Sequence, residues 1–368
     1  MRRCTPRSPS KRAASLALWA CALCVSPPIA AHAEIDRSVL LELSASVLKI
    51  EVTRVQGGYS LGSGVVVGQD RIATNCHVTR DATKIAVLRG GVRWEVTGQL
   101  SNVERDLCLL RVPHLQASTV TLGRAERLVP GQPVAALGFT GGMGMQSSSG
   151  EVLALHRFDG GRVIQSSNWF SSGASGGGLF DEKLQLVGIL TFRLRGGEAH
   201  YFAAPAEWLQ PMLDVPADTG YAPVAPERSQ RLAYWQRPLT DQPRFLKAEL
   251  LQRDDQWPEL HTLAAEWARA DAGDAEPWYL LGVALSNLNR LPEARDALGC
   301  SLAIDPATTR ARARRTASAR RGAPADRDTP PPETGALASA DTAAAAPPIA
   351  ATHDAESCSS TAPLLRTP

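Results

Sequence analysis

The chain has 368 residues, 44% of them hydrophobic and 21% charged, with a formal net charge of +2. That length suits two folded units with flexible ends, and the apolar fraction is enough for real cores. The near-neutral charge balance excludes the global field that would argue for nucleic acid or a membrane surface as partner.

Basic residues Arg2, Arg3, Arg7, Lys11 and Arg12 precede an apolar run from Ala13 to Cys24, followed by Pro27, Pro28 and the small-residue stretch Ile29-Ala30-Ala31-His32-Ala33. Residues 1–33 therefore read as a cleaved secretory signal, cut after Ala33, which sends the mature chain to the periplasm or the exterior. The apolar run falls short of the ~20 residues that span a bilayer, which disfavours a retained anchor, and no other segment could cross a membrane. A lipid anchor on Cys21 is disfavoured by Trp19, two residues before it. Of seven cysteines, Cys4, Cys21 and Cys24 leave with the signal, and Cys76, Cys108, Cys300 and Cys358 remain where bridges are permitted. No cysteine or histidine cluster has metal-ligand spacing, so no metal is expected.

From about residue 45 to 205 short β-rich runs alternate with Gly-rich turns, including Val47 to Val52, Val65-Val66-Val67, Leu107 to Val112, Val134 to Leu137 and Leu186 to Leu190. Such a series reads as a sandwich or barrel. A short helix is predicted from Ala206 to Leu213, closing a domain over 34–213. Residues 214–240, rich in Pro, Asp and Ala, read as a linker.

After Leu246 the spacing becomes helical. Trp278, Leu281, Gly282, Leu285, Ala294, Leu298 and Pro306 resemble the tetratricopeptide pattern, a helix-turn-helix repeat of about 34 residues. That makes 241–308 one good repeat preceded by a degenerate one, in which Leu260 and Ala264 keep their places. Stacks of this kind need about three units to stand alone, so the module is expected to pack on the preceding domain or on a protein partner. Residues 309–368 begin with Arg310, Arg312, Arg314, Arg315, Arg320 and Arg321, continue Pro/Ala/Thr-rich, and read as a disordered tail. Its Arg run is a solvated block in preference to a polyanion site.

The chemistry begins at Gly173-Ala174-Ser175-Gly176-Gly177. Glycines around a serine permit the tight turn that exposes its hydroxyl and lets backbone N–H groups converge on one point. Loss of one such donor costs roughly 2.7–4 kcal/mol of transition-state stabilisation. A serine hydroxyl needs a base, and the base needs a carboxylate to orient it. His77 follows the strand-like Arg71-Ile72-Ala73, and Asp106 opens the apolar strand Leu107 to Leu110. An acid there is costly unless it is hydrogen-bonded.

With His77, Asp106 and Ser175 in that order, the sequence resembles bacterial trypsin-like serine proteases of the Deg/HtrA kind. The matching motifs are Gly62-Ser63-Gly64-Val65-Val66-Val67, Thr74-Asn75-Cys76-His77-Val78, Asp106-Leu107-Cys108-Leu109-Leu110, Gly173-Ala174-Ser175-Gly176-Gly177, Val187-Gly188-Ile189 and Phe202-Ala203-Ala204-Pro205. The resemblance covers roughly residues 45–213. It implies a chymotrypsin-like double β-barrel, mostly β, followed here by the small α-helical module. It implies endopeptidase activity on polypeptides, with His77 as general base, Asp106 orienting it, Ser175 as nucleophile and the N–H groups of Gly173 and Ser175 as oxyanion hole. It further implies that Leu190-Thr191-Phe192 pairs with the substrate backbone. No cofactor is expected.

The chain departs from this family in carrying Ala174 and Gly178 in the nucleophile loop and helices in place of a peptide-binding domain. Trp169 stands six residues before Ser175, where enzymes with basic specificity place an Asp, so an Arg or Lys preference is not expected. Trp169, His200 and Tyr201 either fill the specificity pocket and favour small side chains, or, for Trp169 and Tyr201, pack within the second barrel. Cys76 and Cys108 flank the catalytic pair and are either bridged or two buried thiols. Two rival functions are a catalytically silent scaffold that binds protein partners and an adaptor acting mainly through the helical repeats.

Overall fold

A computed structural model describes residues 37–141, 144–194, 201–216, 219–307, 315–316 and 358. Residues 1–33, read as a signal peptide, His200 and every member of the Arg run except Arg315 lie outside the described residues. A short helix α1 (Arg37–Ser44) leads into β1 (Val47–Arg54), β2 (Tyr59–Gly68) and β3 (Arg71–Thr74). One helical turn, α2 (Cys76–Thr79), is followed by β4 (Ala82–Arg89), β5 (Val92–Glu95), β6 (Gly98–Asn102) and β7 (Leu107–Arg111). These strands form a seven-stranded sheet in the order β5-β4-β1-β2-β3-β7-β6. In β1 the alternation of Leu48, Ile50 and Val52 with polar residues puts the three apolar side chains in one core with Ile72, Ile85, Val87 and Leu110.

The second unit is a closed six-stranded barrel. Its strands are β8 (Pro133–Phe139), β9 (Met145–Phe158), β10 (Gly161–Ser166), β11 (Gly178–Asp181), β12 (Leu186–Arg193) and β13 (Tyr201–Pro205). The long β9 folds back into β10 through Asp159 and Gly160, both at positive φ (47° and 73°). That Asp-Gly pair is the chemistry a two-residue hairpin demands. The expected helix after the barrel is split into a 3-10 turn (Ala206–Leu209) and a single α-turn, α3 (Gln210–Leu213).

The reading of 214–240 as a linker is corrected by its packing. Ala222 exchanges backbone bonds with Gln99 on β6 (2.8 and 2.9 Å), and Tyr234 N–H donates to the Glu104 carbonyl (3.0 Å). Ala233 and Tyr234 are buried. A Pro/Asp/Ala composition concealed two adjacent aromatics, Tyr234 and Trp235, and burial of such side chains is what holds a chain in place.

Four helices follow: α4 (Arg244–Arg253), α5 (Trp257–Ala270), α6 (Ala275–Asn287) and α7 (Leu291–Ile304). Asp274 caps α6 by accepting from the Glu276 N–H (3.1 Å), and prolines occupy the first turns of α5 and α7. Gly282 lets α6 approach α7, since a Cβ there would lie 2.6 Å from Leu298 Cγ. The helices share a core with the barrel, and all lie in one compact unit. Phe245 of α4 stacks on His156 of β9 with ring centroids 4.6 Å apart. Cys358, assigned by composition to a disordered tail, is buried and bonded to Cys300 of α7.

Candidate active site

The pairing of β3 with β7 sets Thr74 opposite Cys108, which brings the residues beyond each strand end together. His77 sits on α2, one step past β3; Asp106 sits just before β7 at φ 57°, a left-handed conformation that Asp tolerates better than most residues. The Asp106 side chain is 1% exposed. Its Oδ1 accepts from the His77 backbone N–H (2.8 Å), and its Oδ2 lies 2.6 Å from His77 Nδ1. A third donor, Trp235 Nε1–H, reaches Oδ2 at 3.1 Å. With the carboxylate on Nδ1, the imidazole carries its proton there and leaves Nε2 as the basic nitrogen. Asp106 is further tied down through its carbonyl, which accepts from Asn75 Nδ2 (3.0 Å) and the Cys76 N–H (3.3 Å). Cys76 and Cys108 are joined in a disulfide, so of the two readings left open the bridged one holds. Beside the pair, burial pushes the Tyr234 phenol well above its ordinary pKa, and the Asp106 charge adds to this.

Ser175 lies on the turn between β10 and β11. Gly173 (φ 99°) and Gly176 (φ 86°) bracket it, and a Cβ on Gly176 would lie 2.1 Å from the Ser63 carbonyl. Only glycine fits that approach. Ser63, wholly buried, secures the turn with three hydrogen bonds from two of its polar groups. Its N–H donates to the Ser175 carbonyl (2.8 Å), its hydroxyl donates to the Gly173 carbonyl (2.8 Å), and the same hydroxyl accepts from the Phe139 N–H (2.8 Å). Among the described residues, the N–H groups of Gly173 and Ser175 have no protein acceptor. The Ser175 hydroxyl faces the Thr191 carbonyl at 3.5 Å, and no hydrogen bond joins it to His77 among the described residues.

Leu190, Thr191 and Phe192 lie on β12. The ladder with β11 ends at Ile189 while pairing with β13 continues to Arg193, so among the described residues the β11 side of β12 has no strand partner from Thr191 onward. Phe192 stacks between Phe202 (4.7 Å) and Trp235 (4.9 Å). Trp169 is 54% exposed, so it neither fills a pocket nor packs inside the barrel. It stands at the rim of a narrow slot lined by Phe170, Ala174 and Leu190. Tyr201 packs on Phe170 at 4.9 Å. Sequence reading quoted Ser63 only within a family motif and gave it no role, and it passed over Phe170 and Trp235. Ser63 was signalled by its place between two glycines, whereas no local pattern signalled Trp235.

Residues 62–189 match the family model of the trypsin-like peptidase domain. The chain is 36% identical over 138 residues to a probable periplasmic serine endoprotease, DegP-like, of Halomonas elongata, covering 35% of this chain and 29% of that one. It is 31% identical over 143 residues to the serine endoprotease DegS of Haemophilus influenzae, covering 37% and 42%. The chain thus spans about a third of the length of the curated relatives it matches. Among solved structures, a protease from M. tuberculosis in its active form aligns with TM-score 0.48 at 24% identity, covering 52% of this chain and 88% of that one. The HtrA-type protease AlgW with tripeptide aligns with TM-score 0.45 at 29% identity, covering 50% and 64%. Residues 62–189 thus resemble a trypsin-like peptidase domain, within a mostly β region that a helical region follows.

Proposed function

We propose that the chain is a periplasmic or secreted serine endopeptidase that works through His77, Asp106 and Ser175. The observation that carries this is the Asp106–His77 pair, held at both carboxylate oxygens (2.8 and 2.6 Å) beside a glycine-bracketed serine. In the reaction the Ser175 hydroxyl turns from Thr191 towards His77 Nε2, gives up its proton and attacks the peptide carbonyl. The unpartnered N–H groups of Gly173 and Ser175 take the resulting oxyanion. The imidazolium, stabilised by Asp106, then protonates the leaving amine to give the acyl-enzyme. Water, deprotonated by His77, releases the acid product. The stretch of β12 at Thr191–Phe192, beyond the ladder with β11, supports pairing with substrate backbone. Trp169 at the rim and apolar Phe170 and Leu190 in the slot support a small or apolar side chain before the scissile bond.

In this reading residues 1–33 are the signal and 34–213 the protease domain. Residues 241–308 are tetratricopeptide-like helices whose first helices, α4 and α6, face the second barrel. That face already has its partner within the chain, which supports packing on the protease domain over recruitment of a separate protein.

A fluorophosphonate probe tests the proposal. The mature protein is expected to label stoichiometrically and Ser175→Ala not at all. Well-folded wild-type protein that stays unlabelled would leave the silent-scaffold reading in its place.

A further inference from the structure

Trp235 stands 129 residues beyond Asp106 in the chain, after both β units, yet it touches Asp106, His77 and Phe192 of the proposed site. Its indole N–H donates to Asp106 Oδ2 (3.1 Å), the same oxygen that holds His77 Nδ1. Its edge meets the His77 ring, with centroids 5.5 Å apart and planes at 85°. Its face lies on Phe192 at 4.9 Å and 9°, on the stretch of β12 beyond its ladder with β11. The backbone that carries the indole is held on both sides. The Tyr234 N–H bonds to the Glu104 carbonyl (3.0 Å) in the turn that leads to Asp106, and Gln242 Nε2 donates to the Trp235 carbonyl (3.2 Å).

Taking the serine-peptidase reading as its premise, we infer that Trp235 is a positioning residue for the catalytic pair, supplied by the segment that follows the barrels. An indole N–H donates and cannot accept, so it takes no part in proton transfer. What it does is fix the rotation of the carboxylate and share its charge. Asp106 Oδ2 then has its lone pairs directed at two fixed donors, and the imidazole is confined between Asp106 and the indole edge. The stack on Phe192 ties that alignment to the strand that would receive substrate. The proposed catalytic site is therefore incomplete in the two β units alone.

A merely structural Trp235 would affect stability without altering the titration of the base; a positioning Trp235 affects both rate and titration. Removing the donor leaves Asp106 a stronger acceptor for His77, which favours the imidazolium and moves the acid limb of the kcat/KM profile to higher pH. The test compares wild type with Trp235→Phe, which keeps an aromatic ring and loses the N–H. Thermal melts confirm folding. A lost hydrogen bond to a charged group predicts a fall of about 10- to 100-fold in kcat/KM at neutral pH, carried by kcat, with the acid limb displaced upward. Should Trp235→Phe fail to fold, benzothienylalanine at position 235 retains the bicyclic shape without the donor and is expected to give the same two changes. An active wild type with unchanged rate and acid limb in a folded donor-free variant would overturn the inference alone. A folded wild type inert to fluorophosphonate would instead overturn the serine-peptidase reading beneath it.

Discussion

At the scale of single residues, the site depends on side chains whose polar atoms have several partners at once. Ser63 uses one hydroxyl to hold both the Gly173 carbonyl and the Phe139 N–H. Ser63→Ala leaves a buried donor and a buried acceptor unsatisfied, so a loss of about 1–3 kcal/mol is expected in urea melts, with slower probe labelling as the Gly173 turn loosens. Asp106→Asn keeps a residue type that accepts the left-handed backbone at φ 57°. It offers His77 an amide or a neutral carbonyl where a carboxylate stood, so kcat is expected to fall by about 10⁴-fold while the melting temperature moves little. A variant with near-normal turnover would contradict the role given to Asp106. His77, Asp106 and Ser175, the proposed triad, could be singled out in the sequence because each sits in a short motif with strand on one side and turn on the other. Trp235 was not, because its importance comes from a contact across 129 positions that no local pattern encodes. The rim position of Trp169 was equally hidden, since exposure follows from the path of the loop and not from residue type.

Among elements, the decisive contact is the β3–β7 pairing, which carries His77 and Asp106 to adjacent strand ends. The Cys76–Cys108 disulfide crosslinks this joint and closes a sequence separation of 32 residues. On the chain-entropy account a loop of that size stabilises by about 3–4 kcal/mol. The Cys76→Ala/Cys108→Ala double variant is therefore expected to melt earlier than wild type, and dithiothreitol to lower the wild-type melt by more than that of the variant, which keeps only the Cys300–Cys358 bond to lose. Identical melts for the two proteins would show that the bridge contributes nothing. The β-rich series was readable because apolar alternation and Asp-Gly or Gly-Gly turns are local signals. The segment 214–240 was misread for the opposite reason: its backbone bonds go to Gln99, Arg80 and Glu104, partners far away in sequence.

For the molecule as a whole, the join between barrel and helices rests on a buried ionic cluster. Both ring nitrogens of His156 face acceptors: Nδ1 meets Glu276 Oε1 at 2.6 Å, and Nε2 meets Gln165 Oε1 at 3.2 Å, whose amide in turn donates to Glu249. That geometry calls for the imidazolium. Burial opposes the charge, but Glu276, Glu249 and the hydrogen bonds outweigh it, so the His156 pKa is raised above its ordinary value. A raised histidine pKa means that this stabilisation is full below about pH 6.5 and is lost as pH climbs through the folded value. Asp274, lifted to about 6 chiefly by burial and next by the Glu276 charge, acts in the same sense at lower pH. The melting-temperature gap between wild type and His156→Gln is accordingly expected to narrow as the pH is raised from acid to alkaline conditions; a gap independent of pH would remove the imidazolium from this interface. The helical spacing of the module was plain from sequence, whereas its docking face was not, because the pattern of a helix does not name the surface it meets. The Cys300–Cys358 bond carries one further consequence. It turns the last part of the chain into a covalent ring with a sequence separation of 58. A single backbone cut inside that ring opens it without detaching any fragment, so a nicked molecule differs from an intact one only by the water taken up, until a reductant separates the pieces.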